Sequence, residues 1–353
     1  MLFESVNLGG VRAENRLVRA ATFEGLADAD GMPTRALVEK YEALARGGAG
    51  CIITGFAYVT HDGAVHPGML SACSRRCVCE WRALVEAAHG QGVPIVLQLV
   101  HGGSAARAAA EAGGRIIGPS AVENPKTGAV PAEATHEDIA RIAAAFAEAA
   151  AWARDAGFDG VEVHAAHGYL FSQFLNPLLN QRTDEYGGAV ENRARFACEV
   201  LRAIRTRCDE FPVWAKLNGS DGVAGGLTEE DAAEAARLLA QAGASVIEVS
   251  GAWRTFDARA VAERAGEPLF AAFAVRLARE LGETPVILTG GCRDAVRLEA
   301  LAAEGIAAFG LCRPLICEPD LPFLWRADPA YRPRCTSCNA CSRTPGLACV
   351  REG

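Results

Sequence analysis

No apolar run in this 353-residue chain approaches the ~18 residues that cross a bilayer as a helix. The alanine-rich stretch 139–153 comes nearest, and Arg141 and Glu148 interrupt it. The N-terminal MLFESVNLGGVRAENR lacks the apolar centre of a secretory signal peptide. There is no long basic run, and 43 acidic against 35 basic side chains leave a formal charge of −8. Neither nucleic acid nor a membrane is therefore expected as a partner, and a cytoplasmic location is expected. No G-x-G-x-x-G follows an apolar run and no Walker A sequence occurs. Both absences count against a dinucleotide-binding doubly wound sheet or a P-loop. Histidine is scarce, with seven in all and none beyond residue 167. A metal site drawing imidazoles from several barrel strands is disfavoured on that ground.

What the chain does have is apolar mass in a repeating order. Half of its residues are hydrophobic, enough for a large core. Eight short β-branched-rich runs recur at 17–21, 51–55, 94–99, 160–164, 213–217, 245–250, 285–290 and 307–311. Near-continuous apolar runs of that length fit parallel strands buried on both faces. Helical patterns intervene. Thr135-His136-Glu137-Asp138 resembles a capping box opening a helix to about Ala156, with Ile139, Ile142 and Phe146 on one face. Thr228-Glu229-Glu230-Asp231 opens another, ending near Gly243. Eight strands alternating with helices predict a (β/α)8 TIM barrel over residues 1–322, with a short Cys-rich extension at 323–353. Two insertions, 100–134 and 171–190, follow strand C-termini, the face on which barrels carry their active sites.

The fourth run ends in VEVHAAHGYL, which places His164, His167 and Tyr169 at that face. Two polar strand-end side chains form one reading and a zinc pair a second. The third is an oxygen-polarising pair. Two imidazole N–H donors stabilise negative charge on one substrate oxygen, and a phenol protonated at neutral pH gives a proton to the carbon beside it.

The stretch HAAHGYL-x-x-x-FLNPLLNQRTDEYGG, followed by Glu191-Asn192-Arg193, resembles the Old Yellow Enzyme family of FMN-dependent ene-reductases. The likeness runs from LFESVNLGG to LCRPLICEPDLP. It implies a (β/α)8 barrel, FMN as cofactor, NAD(P)H as hydride donor and a small unsaturated substrate with an activated C=C bond. It implies that His164 and His167 bind the substrate oxygen and that Tyr169 is the proton donor. It also implies flavin contacts from Ala20, Ala21 and Thr22 after the first strand, from Phe56 through its backbone, and from Gln98. Lys216 stands where the family has an arginine, keeping the charge and losing the bidentate fork. Gly290, Gly291, Cys312 and Arg313 fall at the family's phosphate site, Cys312 replacing a glycine.

Thirteen cysteines is a high count. Cys335, Cys338 and Cys341 are spaced C-x2-C-x2-C, and Cys349 follows. Four thiolates so spaced hold [4Fe–4S] or zinc, and a degenerate remnant of such a motif is the alternative. Cys73, Cys77 and Cys79 lack a matching fourth partner and read as structural. Three further functions stay open. One is an iron–sulfur-linked flavoprotein similar to dienoyl-CoA reductase or trimethylamine dehydrogenase, fed by a partner. The others are a metal-dependent barrel hydrolase and a flavin-binding electron carrier. Oligomeric state stays open too, a homo-oligomer included.

Overall fold

The computed structural model describes residues 1–251 and 267–350. Eight parallel strands close into a barrel. They are β1 (Leu17–Arg19), β2 (Cys51–Ile53), β3 (Ile95–Val100), β4 (Gly160–Ala165), β5 (Val213–Asn218), β6 (Val246–Ser250), β7 (Val286–Thr289) and β8 (Ala308–Leu311). Each pairs with the next, β8 pairs with β1, and every pairing is parallel. All eight expected strands form, several shorter than their apolar runs. β1 stops at Arg19 rather than residue 21, because only the Ala20 N–H, donated to Leu311 O at 3.0 Å, continues the ladder. Ala20, Ala21 and Thr22 thereby leave the barrel wall at its upper rim.

Alternation sends every second side chain inward. The lowest inner layer is apolar. Val18, Ile53, Val96, Trp214, Val246, Ile287 and Ala308 pack with Leu8, Val11 and Ala13 from an N-terminal hairpin, Val6–Leu8 paired antiparallel with Val11–Ala13. That hairpin stoppers the lower end. One pleat higher the lining turns polar, with Gln98, Glu162, Lys216 and Glu248 all buried. Above these come His164, Asn218, Ser250 and Thr289. The core therefore closes the barrel from below and leaves chemistry to the upper rim.

The outer layer comprises α1 (Arg35–Arg46), α2 (Cys77–His89), α3 (His136–Ala156), α4 (Val190–Cys208), α5 (Glu229–Gln241), α6 (Ala271–Leu281) and α7 (Ala295–Ala303). Thr135 and Asp138 form the expected capping box, and Gly157 ends α3 at φ 100°. The positive φ suits a residue without Cβ. Thr228 Oγ1 accepts from Asp231 N to open α5. α7 begins at Ala295, where the Asp294 side chain accepts from Arg297 N as its cap. Ile139, Ile142 and Phe146 bury against the barrel wall.

The two insertions are stitched together by the N-x-R-x-D-x-Y-G-G stretch. Arg182 Nη1 donates to Ala134 O at 2.7 Å and Pro119 O at 3.1 Å, while Asp184 holds its other edge at 2.5 Å. Asn180 Nδ2 donates to Phe174 O and Tyr186 O, both at 2.7 Å. A buried guanidinium that satisfies two foreign carbonyls fixes both loops at once. A last helix, Leu321–Ala327, buries Trp325 completely. The segment beyond it returns across the upper rim. Among the described residues no helix is long and apolar enough to cross a membrane.

Candidate active site

β4 ends in a sharp turn that arranges the histidines. His167 and Gly168 both take left-handed backbone, at φ 62° and φ 80°. Such a conformation is costly for histidine and persists where its surroundings enforce it. Here the His167 N–H donates to Asn218 Oδ1 at 3.0 Å, and Gly168 N–H to Ser172 Oγ at 3.1 Å. Gln173 Nε2 donates to Gly168 O at 2.8 Å and locks the turn. The rings of His164 and His167 then lie 5.0 Å apart, and Tyr169 lies 4.9 Å from His164.

The protonation states follow from this packing. His164 Nδ1 accepts the Ala166 N–H at 3.2 Å. A neutral ring with an acceptor at Nδ1 carries its proton on Nε2, so His164 presents one N–H donor. His167 Nε2 lies 2.9 Å from Ser250 Oγ. Burial holds both imidazoles well below the ordinary histidine range, and the cations Lys216 and Lys126 reinforce it. Burial pushes the Tyr169 phenol up to about 12. At neutral pH the site therefore offers neutral imidazoles beside a fully protonated phenol. Phe56 stands 5.6 Å from Tyr169 and 6.3 Å from His164, and Phe23 stacks on Phe56 at 5.4 Å. Phe23 was not singled out in the sequence. Its stacking on Phe56 crosses from one βα loop to another, which no local pattern reveals.

Beneath the histidines lies a fully buried polar group. Gln98 Nε2 donates to Glu162 Oε2 at 2.5 Å, and Lys216 Nζ pairs with Glu248 Oε1 at 2.7 Å. The two carboxyls face each other. Burial, then repulsion by Glu248, pushes Glu162 well above the carboxylate range. Burial opposes ionisation of Glu248 too, but the Lys216 charge together with hydrogen bonds from Glu162, Lys216 and Thr289 holds its carboxyl below that range. One proton and one lysine thus neutralise two carboxyls, as one cation in a dry interior requires. Lys216 is a hydrogen-bond donor here, its charge cancelled by Glu248. Glu162 and Glu248 read in the sequence as members of apolar runs. Only barrel closure sets them face to face.

At the upper rim Thr22 Oγ1 donates to Ala20 O at 2.9 Å and lies 3.2 Å from Cys312 Sγ. Gly290, Gly291, Cys312 and Arg313 line one cavity of about 80 Å³ with Thr289, Arg293 and Ser337. Gly290 and Gly291 sit at φ 116° and 85°. A Cβ on Gly310 would lie 1.8 Å from Thr289 Oγ1, so the cavity floor admits no side chain there. Two guanidiniums beside a small cavity at the ends of β7 and β8 suit an anion. Arg293 and Ser337 are additions to the set legible from sequence.

Residues 1–328 match the NADH:flavin oxidoreductase / NADH oxidase family. The chain belongs to that family. This flavin oxidoreductase family member is 33% identical over 350 residues to the NADH oxidase of Thermoanaerobacter brockii, covering 96% of this chain and 52% of that one. A 2-naphthoyl-CoA reductase structure superposes with TM-score 0.88 at 27% identity, over 96% of this chain and 54% of the other. The old yellow enzyme homologue of Zymomonas mobilis superposes with TM-score 0.79 at 27% identity, over 94% of both chains. The Old Yellow Enzyme resemblance and the TIM barrel are thus borne out. The chain spans about half the length of the curated relatives it matches.

The residues of this family member fit a phosphorylated flavin. Gln98 and Lys216 offer polar atoms under the histidines, and the small cavity offers two guanidiniums. The cysteines divide. Among the described residues no three cysteine sulfurs lie within 4.8 Å of one another. Zinc bonds of about 2.3 Å need sulfurs about 3.8 Å apart, so the structure assembles no zinc site from Cys335, Cys338, Cys341 and Cys349. Cys335, Cys341 and Cys349 do lie within electrostatic reach of one another, and Cys341 within reach of Cys312. Cys349 also meets Cys317, at the end of the helix Arg313–Cys317. Cys77 is buried at the start of α2, whereas Cys79 is exposed.

Proposed function

We propose that this chain is an FMN-dependent NAD(P)H oxidoreductase that reduces a C=C bond conjugated to a carbonyl or similar oxygen-bearing group. One observation carries the reading: in a neutral histidine pair, His164 is fixed as an Nε2–H donor and its ring stands 4.9 Å from the half-buried, protonated phenol of Tyr169. FMN, when bound, supplies hydride received from NAD(P)H. His164 and His167 hold the substrate oxygen and stabilise the charge that develops on it. Tyr169 gives its proton to the carbon next to the carbonyl. Phe56 and Phe23 form an apolar wall that excludes water from one side. Gln98, hydrogen-bonded to Glu162, and Lys216, paired with Glu248, orient the cofactor through hydrogen bonds.

The cysteine-rich segment supports a second reading, an iron–sulfur-linked flavoprotein fed by a partner. The approach of Cys341 to Cys312, at the rim beside Thr22, favours it. A visible spectrum of the purified protein under anaerobic NADPH and then NADH separates the two. Flavin bands that bleach, and recover on adding cyclohexenone, support the first. Bands that stay unbleached above a broad iron–sulfur absorption support the second. A protein that shows no flavin bands after adding FMN refutes both.

A further inference from the structure

We infer that Ser337, in the cysteine-rich segment, is a ligand of the cofactor phosphate and closes its site from outside the barrel. The inference rests on the FMN reading above. Ser337 lines the cavity of about 80 Å³ together with Gly290, Gly291, Arg293 and Arg313. It is only 6% exposed. Arg293 Nη1 donates to its hydroxyl at 2.9 Å, and Arg313 Nη1 donates to its carbonyl at 3.3 Å. One residue therefore touches both guanidiniums that face the cavity.

Its backbone strengthens the case. Ser337 sits at φ 58°, in the left-handed region where glycine is at ease and serine is not. Strained backbone clusters at ligand sites, where the surroundings enforce it, and Ser337 is strained at this cavity. The chemistry is specific. A hydroxyl that accepts from Arg293 keeps its own O–H free to donate. An anion in the cavity then meets two guanidiniums and one hydroxyl, and a phosphate has oxygens enough for all three.

The same residue belongs to the cysteine segment. It lies between Cys335 and Cys338, and its backbone N–H bonds the Cys335 thiol. Arg293 also donates to Cys335 O. An anion that fixes Ser337 thus fixes the loop carrying Cys335, and by reciprocity an ordered loop holds the phosphate.

The test uses the full chain stripped of flavin, titrated with FMN and with riboflavin, which lacks the phosphate. Flavin fluorescence quenching reports Kd. Ser337→Ala and Ser337→Gly are each expected to weaken FMN about tenfold, the usual effect of losing a hydrogen bond to a charged group, and to leave riboflavin unchanged. Ser337→Gly also removes the backbone strain, so weaker FMN binding there cannot come from misfolding of the loop. In the wild type, FMN is expected to slow amide hydrogen exchange across residues 335–341, and riboflavin is not. FMN affinity that is unchanged or tighter in both variants, while the wild type binds FMN, overturns the ligand role alone. A wild type that binds neither flavin overturns the FMN reading and this inference together.

Discussion

At the residue scale, charge is decided by burial more than by residue type. Tyr169 and the two histidines ionise in opposite senses, yet burial keeps all three neutral at working pH. For Tyr169 the folded pKa lies above the free phenol's value near 10, so the phenol stays protonated until pH approaches about 12. For the histidines the folded pKa lies below the usual 6.5, so they stay neutral as pH falls through that value. Enone-driven flavin reoxidation is therefore expected to be flat between about pH 6 and pH 10. Tyr169→Phe is expected to leave flavin reduction by NAD(P)H intact and slow that reoxidation by ~10²–10⁴-fold. Stopped-flow absorbance of each half-reaction checks both points, and an unchanged oxidative rate would remove Tyr169 from the proton-donor role. The carboxyl pair gives a stability counterpart. Glu248→Leu strands Lys216 without its partner in the barrel interior and is expected to cost ~3–5 kcal/mol. Glu162→Gln keeps an acceptor for Gln98 and a donor toward Glu248, and is expected to cost ~1 kcal/mol or less. Urea midpoints of the two variants test the contrast.

At the element scale, helices announce their starts and strands announce their middles. Thr135 with Asp138 is a local code, since an N-cap hydroxyl needs only its own first turn, and α3 begins where that code stands. Thr135→Ala is expected to cost ~0.5–2 kcal/mol, read as a lower urea midpoint at unchanged slope. Strand ends carry no such code. β1 and β2 stop short of their apolar runs because a ladder continues only where a neighbour presents its own backbone. The upper-rim turn after β4 is intermediate. Gly168 hints at a left-handed position, but His167 at φ 62° depends on Asn218 from β5 and could not be read locally.

At the scale of the whole molecule, the barrel is closed by apolar packing below and lined by polar side chains toward its upper rim. The N-terminal hairpin seals one end with Leu8, Val11 and Ala13, and the rim at the other end carries the exposed work. A cofactor bound only by the native state stabilises it by mass action. FMN at about 100 times its Kd is expected to add ~2.7 kcal/mol, seen as a rise in thermal midpoint. No rise in a differential scanning experiment would mean that the barrel rim does not bind FMN.

The amino-acid sequence by itself determined the barrel, the strand that bears His164, His167 and Tyr169, and the family. Each is written in local terms. Doubly buried parallel strands are continuous apolar runs, and a strand-end motif keeps its spacing whatever the rest of the chain does. Tertiary structure alone decided the rest. It set Glu162 against Glu248, because strands far apart in sequence meet only when the barrel shuts. It cancelled the charge of Lys216, which sequence presents as a free cation. It brought Ser337 to the cavity of Gly290, Arg293 and Arg313, because a segment more than 20 residues past β8 folds back over the rim. Hydrogen bonds and electrostatics act through space over a few ångströms, and sequence separation carries no information about which distant groups come that close.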